Sequence, residues 1–151
     1  MADLKQRLES DLRTATKARD VTRRETLRLA LSAIHNEEVA RRGELDDDAV
    51  LGIVQKQAKM RRESIEAFGK GGRSELVAQE TAELGILESY LPSQLGREEI
   101  RDLARQAIAE SGATGVREQG KVMQRLMPAV RGRADGKMVA EVVSALLQGT
   151  D

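Results

Sequence analysis

Apolar residues recur at every third or fourth position along most of this 151-residue chain, and no stretch of useful length alternates between apolar and polar residues. The first such series is Leu4, Leu8 and Leu12. This spacing places apolar side chains on one face of an α-helix, whereas a β-strand requires a period of two. Because the chain has one Tyr, one Phe and no Trp, its core must be built from aliphatic side chains and Met. The sequence therefore predicts an all-α fold in which helices pack on helices.

Four helices are predicted in an N-terminal domain, residues 1–92. The second of them opens with Thr22 and Glu25, which have the spacing of a capping box. The third follows the acidic run 46–48, since negative charge is favourable at a helix N-terminus. The other helix limits are expected at glycine and serine residues, namely Gly43, Gly69 and Ser74.

The domain boundary is predicted at Tyr90-Leu91-Pro92. Pro92 has no backbone N–H and disfavours helical backbone at the residue before it, so the fourth helix must end here. Gly96 can act as the N-cap of the next helix, with Glu99 at its third position. A small C-terminal three-helix domain, residues 93–151, follows.

Residue types needed for common catalytic sites are scarce. The absence of Cys excludes a disulfide framework, a thiol nucleophile and a Cys-ligated metal. The only histidine, His35, has no accompanying ligand or nucleophile motif and is expected to have a structural or surface role. No nucleophile, base and orienting residue are recognisable as a set. We therefore expect no catalytic residues, no cofactor and no metal.

The chain is predicted to be cytoplasmic and without a membrane partner. No apolar run approaches the roughly 20 residues that span a bilayer. The first residues are charged and do not have the pattern of a secretory signal peptide.

Residues 115–122 match the spacing of a phosphate-binding loop except at the last position. That position should carry a Ser or Thr hydroxyl for magnesium, and here it is Val122. The motif also needs a preceding strand, whereas the residues before Gly112 have the pattern of a helix end. We interpret the match as accidental.

Positive charge is concentrated between Arg117 and Lys137, where six basic and two acidic residues give a net charge of +4 in a chain whose formal net charge is zero. Such a concentration indicates an anionic partner, most often nucleic acid. The candidate phosphate contacts are Lys121, Arg125, Arg131, Arg133 and Lys137.

Glycine and aspartate residues in the same segment have structural explanations as well. Gly132 is expected to end a helix, and Asp135 to cap the next one just before Gly136. Gly120 lies inside a predicted helix, which costs about 1 kcal/mol relative to Ala. Its presence suggests that another helix or a ligand approaches closely. Phosphate binding and structural need remain equally good explanations of the turn.

A second basic run, residues 56–62, has a simpler explanation. Lys59 and Arg62 each precede a glutamate by four residues, so local ion pairs on a solvated helix face account for much of the charge. An additional contribution to RNA binding is the alternative.

The chain resembles the GatB/YqeY family nearly from end to end, as a YqeY-like protein. The resemblance is carried by short segments whose most specific parts are Tyr90-Leu91-Pro92 and the glycine–lysine pairs. The matching segments are residues 24–28, 34–38, 61–68, 83–92, 120–123, 127–128 and 132–137.

The resemblance implies an all-α fold whose C-terminal part is similar to the tail domain of the B subunit of the glutamine-dependent aspartyl/glutamyl-tRNA amidotransferase. That tail is implicated in holding tRNA, while the chemistry lies in a preceding catalytic part that this chain does not resemble. The family label, carbon–nitrogen ligase activity with glutamine as amido donor, would then describe ancestry more than activity.

Two functions follow as expectations. The first is a non-catalytic tRNA-binding accessory protein that contacts phosphates and shape, with no DNA partner expected. The alternative is an adaptor that binds a translation protein, such as an aminoacyl-tRNA synthetase or the amidotransferase, without touching RNA. An amidotransferase activity of the chain itself is a third, less favoured hypothesis.

Overall fold

A computed structural model describes residues 3–149, and within that range the chain forms seven α-helices, one 3-10 turn and no β-strand. The all-α fold predicted from the apolar spacing is confirmed. The helices are α1 Asp3–Lys17, α2 Val21–Arg41, α3 Asp47–Lys70, α4 Ser74–Glu88, α5 Arg97–Ser111, α6 Gln119–Val130 and α7 Gly136–Gln148, and the 3-10 turn Val116–Glu118 precedes α6.

The chain divides into two compact units between Pro92 and Ser93. Helices α1 to α4 lie in the first unit, and α5 to α7 lie in the second. Each unit has its own cluster of buried aliphatic side chains. Few aromatic residues are needed because Leu, Ile, Val and Ala fill the spaces between closely packed helices.

The first unit is built from two helical hairpins, α1 with α2 and α3 with α4. Its core contains Leu8, Leu27, Ile34, Val54 and Leu87, all fully buried. The first helix is also fixed at its N-terminus by another helix, since the backbone N–H of Leu4 donates to Asp47 Oδ1 at 3.0 Å. This bond pairs one of the backbone N–H groups in the first turn of α1, which have no partner within the helix.

The N-cap of α2 is Asp20, and the capping box predicted at Thr22 and Glu25 is wrong. The Asp20 carboxylate accepts from the backbone N–H of Arg23 at 3.2 Å, so the helix begins at Val21 and Thr22 lies inside it. Arg19, the residue before Asp20, has left-handed backbone at φ 57°. This residue changes the direction of the chain just before α2 begins.

The C-terminal end of α2 also differs from the expectation. The left-handed residue is Arg42, at φ 57°, and not Gly43. The N–H of Gly43 donates to Glu38 O at 3.1 Å and the N–H of Arg42 to Val39 O at 3.3 Å, which closes the last turn. A side chain therefore occupies a backbone conformation that glycine adopts more easily.

The basic run of α3 is paired across helices, which sequence spacing did not predict. Arg62 Nη2 lies 3.2 Å from Glu88 Oε1 of α4. Arg61 is buried, with its Nε 3.5 Å from Glu80 Oε2 and 3.2 Å from Glu83 Oε2. These arginines therefore hold α3 against α4.

The second unit encloses a core of its own, formed by the inward faces of its three helices. It contains Ile100, Val122, Leu126, Val139 and Val142, each at most 2% exposed. Helix α5 begins after Gly96, as predicted, and Glu99 Oε1 accepts from the Gly96 N–H at 3.4 Å.

Pro128 lies inside α6, which ends two residues later at Val130. The ring removes the backbone N–H that would donate to the carbonyl of Gln124, so α6 loses one hydrogen bond in its last turn.

Candidate nucleic-acid interface

Helix α6 has a buried apolar face and an exposed basic face. Val122, Leu126 and Val130 are buried at four-residue spacing. Lys121 and Arg125 have the same spacing on another side of the helix and are exposed, with 60% and 54% of their side-chain surface accessible. Arg117, four residues before Lys121, is also exposed. Arg117 lies in the 3-10 turn before α6, and Lys121 and Arg125 lie on α6. These three residues are here called the basic stripe. Lys121 and Arg125 are held in place because another face of α6 is buried in the core.

Arg125 is paired with an acidic residue of the neighbouring helix. Its Nε donates to Glu110 Oε2 at 3.1 Å, and Gln106 Nε2 donates to Glu110 Oε1 at 3.0 Å. Hydrogen bonds from Gln106 and then from Arg125 hold the pKa of Glu110 below its ordinary value. The carboxylate is therefore ionised at neutral pH and is oriented by both partners.

Lys121 has a looser partner. Its Nζ lies 3.9 Å from Glu118 Oε2. The other oxygen of Glu118 accepts from the backbone N–H and the hydroxyl of Thr114, at 3.2 and 3.1 Å. One oxygen of Glu118 is thus held by Thr114, and 60% of the Lys121 side-chain surface is accessible to solvent.

An open groove of about 270 Å³ lies between α5 and α6, and its polar lining comes from both helices. The lining residues are Glu110, Ser111, Lys121, Gln124 and Arg125. Two of the five residues that the sequence proposed as phosphate contacts, Lys121 and Arg125, are thus brought together.

The turn after α6 explains Gly132. Arg131 has φ −57° and ψ 127°, Gly132 has φ 76°, and the Arg133 N–H donates to Val130 O at 2.9 Å. These are the angles of a type II β-turn, whose third residue needs a positive φ. The helix-ending role predicted for Gly132 is confirmed by this geometry.

Arg133 is directed to the segment before α5. Its Nε donates to the carbonyl oxygen of Ser93 at 3.1 Å, and its Nη2 lies 3.4 Å from the Ser93 hydroxyl. The Arg133 carbonyl accepts from the N–H of Leu95 at 2.8 Å, and Gln94 Nε2 donates to Gly132 O at 3.0 Å. The guanidinium therefore has an internal structural role that the sequence did not indicate.

The other two candidate contacts, Arg131 and Lys137, are exposed residues beside this turn. Asp135 is the N-cap of α7, as predicted, and its carboxylate accepts from the Lys137 N–H at 3.4 Å. The carboxylate brings negative charge to the helix N-terminus, so an outside anion is less favoured there than the sequence suggested.

The close approach of another helix, one of the two explanations expected at Gly120, is wrong. A Cβ atom at Gly120 would meet nothing within 4 Å, and the same holds for Gly136, the first residue of α7. A phosphate-binding loop must follow a β-strand. The elements before Gly120 are instead helix α5 and a 3-10 turn, so residues 115–122 do not form such a loop.

Tyr90, at the end of the first unit, is a packing residue. Its hydroxyl donates to Asp11 Oδ2 at 2.5 Å, and the Arg7 guanidinium lies 4.6 Å from its ring centroid. Burial and the hydrogen bond to Asp11 raise the pKa of the Tyr90 phenol far above its ordinary value, so it stays neutral. The exposed Pro92 follows one residue after the buried Leu91.

His35 lies exposed on α2 and lines a groove of about 290 Å³ between α1 and α2. The groove has an apolar floor of Leu12 and Leu31, with Arg28 and Asn36 among its polar residues.

Within residues 3–149, no cluster of three or more His, Asp or Glu side chains has the arrangement of a metal site. In the same range no helix has both the length and the hydropathy of a membrane span.

Glu110, Gln106 and Ser93 are the site residues that sequence reasoning missed. Gln106 and Glu110 are four residues apart, so their mutual hydrogen bond has a recognisable spacing. Their position opposite Arg125 depends on how α5 packs on α6, for which the sequence carries no simple signal.

Comparison with known proteins identifies relatives of the chain. Residues 5–147 match the model of a family described as Yqey-like protein. A protein of Pyrenophora tritici-repentis named "Altered inheritance of mitochondria protein 41, mitochondrial" is 33% identical over 147 residues, which cover 92% of this chain and 80% of the relative. Proteins with the same name from Eremothecium gossypii and Lachancea thermotolerans are 39% and 40% identical over 85 residues, covering 56% of this chain and 46% of each relative.

The names of these relatives contradict the cytoplasmic location expected from the sequence, because each is named as a mitochondrial protein. The expectation rested on the lack of an apolar signal segment. Mitochondrial targeting segments are amphipathic and Arg-rich. The absence of an apolar signal segment therefore does not distinguish a mitochondrial from a cytoplasmic protein. The match over residues 5–147 and the similarity to the Pyrenophora protein show that the chain belongs to the Yqey-like protein family.

Proposed function

We propose that this chain is a non-catalytic, tRNA-binding accessory protein related to the glutamine-dependent tRNA amidotransferase. In this proposal residues 93–151 form the RNA-binding domain and residues 1–92 form a separate helical domain. The observation that carries the proposal is the basic stripe on α6 and the 3-10 turn before it, with another face of α6 buried in the core. The resemblance of this part to the amidotransferase tail supports tRNA as the nucleic acid.

The spacing of the stripe suits a phosphate backbone. Lys121 and Arg125 are four residues apart on α6, which is a rise of about 6 Å. Neighbouring phosphates of a nucleic-acid strand are separated by a similar distance. Two adjacent cations on a helix can therefore contact successive phosphates.

Base readout has little support. Residues 93–151 contain no Phe, Tyr or Trp, so this domain has no aromatic side chain on which an unpaired base could stack. Tyr90, in the first unit, is only 5% exposed. Recognition would therefore depend on phosphates and on shape.

The direct test is a fluorescence-anisotropy titration with bulk deacylated tRNA at two salt concentrations, with duplex RNA as a comparison. Parent protein should prefer tRNA and bind more weakly at the higher salt. Lys121→Gln with Arg125→Gln should lower affinity by about tenfold at low salt.

The matched control is Arg101→Gln with Arg105→Gln, which also removes two positive charges, from the α5 residues that pair with Glu98 and Asp102. Equal loss in the control and in the stripe variant would contradict the assignment of the stripe. No binding of parent protein at low salt would contradict the proposal as a whole.

A second candidate function, a protein adaptor, is favoured by the outward face of α2. Three exposed large apolar residues lie on this helix, Val21 at 56%, Leu29 at 51% and Val39 at 63%. The groove that His35 lines is also formed largely by α2, through Arg28, Leu31, Ser32 and Asn36. An aminoacyl-tRNA synthetase or the amidotransferase is the partner class to test.

The adaptor candidate is tested with Leu29→Asp and Val39→Asp together, measuring binding to the purified amidotransferase by calorimetry. Loss of binding with unchanged tRNA affinity would favour the adaptor. Met60→Asp is the control, since Met60 is a comparably exposed apolar residue on α3 at 45%. Equal binding by all three proteins would contradict the adaptor candidate.

A further inference from the structure

Glu110 occupies the position in the α5–α6 groove where an outside anion would meet Arg125. One carboxylate oxygen is bonded to Arg125 Nε and the other to Gln106 Nε2. Lys121 and Gln124 complete the same groove. A guanidinium binds a carboxylate and a phosphate with the same donors, so Glu110 and a phosphate compete for Arg125.

The internal pair is weak enough to be displaced. Arg125 and Glu110 have 54% and 47% of their side-chain surface accessible, and exposed pairs of this kind add little to stability. Glu110 nevertheless stays close after displacement, because Gln106 holds it from the side of α5. A phosphate bound to Arg125 would therefore lie beside a like charge, which lowers its affinity.

We infer that the α5–α6 groove is a binding site for a single phosphate group, formed by Lys121, Gln124 and Arg125, and that Glu110 is an internal competitor that weakens this site. The inference rests on the proposed RNA-binding function for the source of the phosphate, an RNA backbone group. Beyond the proposed function, the inference assigns to Glu110 the role of lowering the affinity of this site for phosphate.

The inference is tested with Glu110→Gln, which keeps the shape of the side chain and removes its charge. Affinity for tRNA should rise by about fivefold, the size expected for one unit charge about 4 Å away in water. The same substitution in an Arg125→Gln protein should change affinity by less than about twofold, because without Arg125 the phosphate is no longer held near residue 110.

The control is Asp102→Asn, which removes the same charge from the same helix. Asp102 pairs with Arg105 and lies eight residues from Glu110, about 12 Å along α5 and beyond the Debye length at physiological salt. A general electrostatic effect would make both variants bind tRNA more tightly, which would overturn the inference.

A second readout separates this inference from the proposed function. Inorganic phosphate is titrated into parent, Glu110→Gln and Asp102→Asn proteins, and backbone amide shifts of Lys121, Gln124 and Arg125 are followed by NMR. We expect these amides to shift at lower phosphate concentration in Glu110→Gln alone. That result without any tRNA binding would support the phosphate site and reject the tRNA function.

The opposite combination is also decisive. If parent protein binds tRNA but Glu110→Gln changes neither tRNA affinity nor the phosphate titration, the inferred competitor is wrong and the proposed function stands. If no protein binds tRNA and phosphate shifts none of the three amides, both are wrong.

Discussion

Arg133 and Ser93 are 40 residues apart in sequence and are joined by two side-chain contacts, from Nε to the Ser93 carbonyl at 3.1 Å and from Nη2 to the Ser93 hydroxyl at 3.4 Å. Two further hydrogen bonds connect the same turn to the residues that precede α5. Arg133, which the sequence proposed as a phosphate contact, therefore holds the segment before α5 in place.

Arg133→Lys keeps the positive charge and loses the planar fork that reaches both Ser93 oxygens. We expect the free energy of unfolding to fall by about 1 kcal/mol, the typical net value of a hydrogen bond. Affinity for tRNA should change by less than about twofold, since the charge remains. The free energy of unfolding is measured by urea denaturation monitored by circular dichroism, and the tRNA affinity by fluorescence anisotropy. A large loss of affinity with unchanged stability would show that Arg133 contacts RNA.

Gly132→Ala should destabilise the second unit, because Gly132 has φ 76° in a type II turn. The cost of a side chain in this region is about 1–2 kcal/mol. Gly120→Ala is the control at a glycine with open space around its Cβ position, inside α6, and should stabilise by about 1 kcal/mol. Thermal unfolding of the two variants should therefore shift in opposite directions, and equal shifts would contradict the turn assignment.

Arg42→Gly should stabilise the protein, because Arg42 ends α2 in the left-handed region at φ 57°. Relief of this conformation contributes about 1 kcal/mol, partly offset by the greater freedom of glycine in the unfolded chain. Arg41→Gly makes the same change one residue earlier, where Arg41 is helical and its Nε lies 2.7 Å from Glu37 Oε1. That control should lose about 1 kcal/mol. Denaturant midpoints that move in the same direction would reject the explanation.

Glu80→Gln should stabilise the first unit at neutral pH. Burial, followed by the charge of Glu83, raises the pKa of Glu80 above its ordinary value of 4.5, although Arg61 partly opposes this. A raised pKa in the folded state means that stability from Glu80 is complete below pH 4.5 and is lost as the pH rises through the folded value. The advantage of the variant should therefore be absent at acidic pH and grow above it.

The measurement is the free energy of unfolding of parent and variant between acidic and neutral pH. Glu83→Gln is the control, because it removes the nearer carboxylate from Arg61 and should destabilise at neutral pH. A stability difference between Glu80→Gln and the parent that does not depend on pH would contradict the prediction.

Several features of the fold were predictable because they depend on neighbours in sequence. The apolar spacing of Leu4, Leu8 and Leu12 predicted a helix, and α1 is one. Asp135 caps α7 and Gly132 adopts a positive φ, as their residue types suggested. The cap of α2 was misplaced because Thr22 and Asp20 are both good capping residues, and the sequence pattern favoured the wrong one.

The basic stripe was only partly predictable. Its charges were evident from the sequence, and α6 places Lys121 and Arg125 on one face. The pairing of Arg125 with Glu110 was not evident, since 15 residues and a turn separate them. The close contact that we expected at Gly120 also depended on neighbouring helices, and the structure has open space there.

The sequence by itself determined the helices, the aliphatic cores and some turn residues such as Gly132, because hydrophobic period, capping and backbone angles act within a few positions of the chain. Only the tertiary structure decided which charges meet. Whether Arg125 faces Glu110, Arg133 faces Ser93 or Arg61 faces Glu83 depends on how each helix is rotated against its neighbour, and long polar side chains then adopt whatever pairing that packing allows.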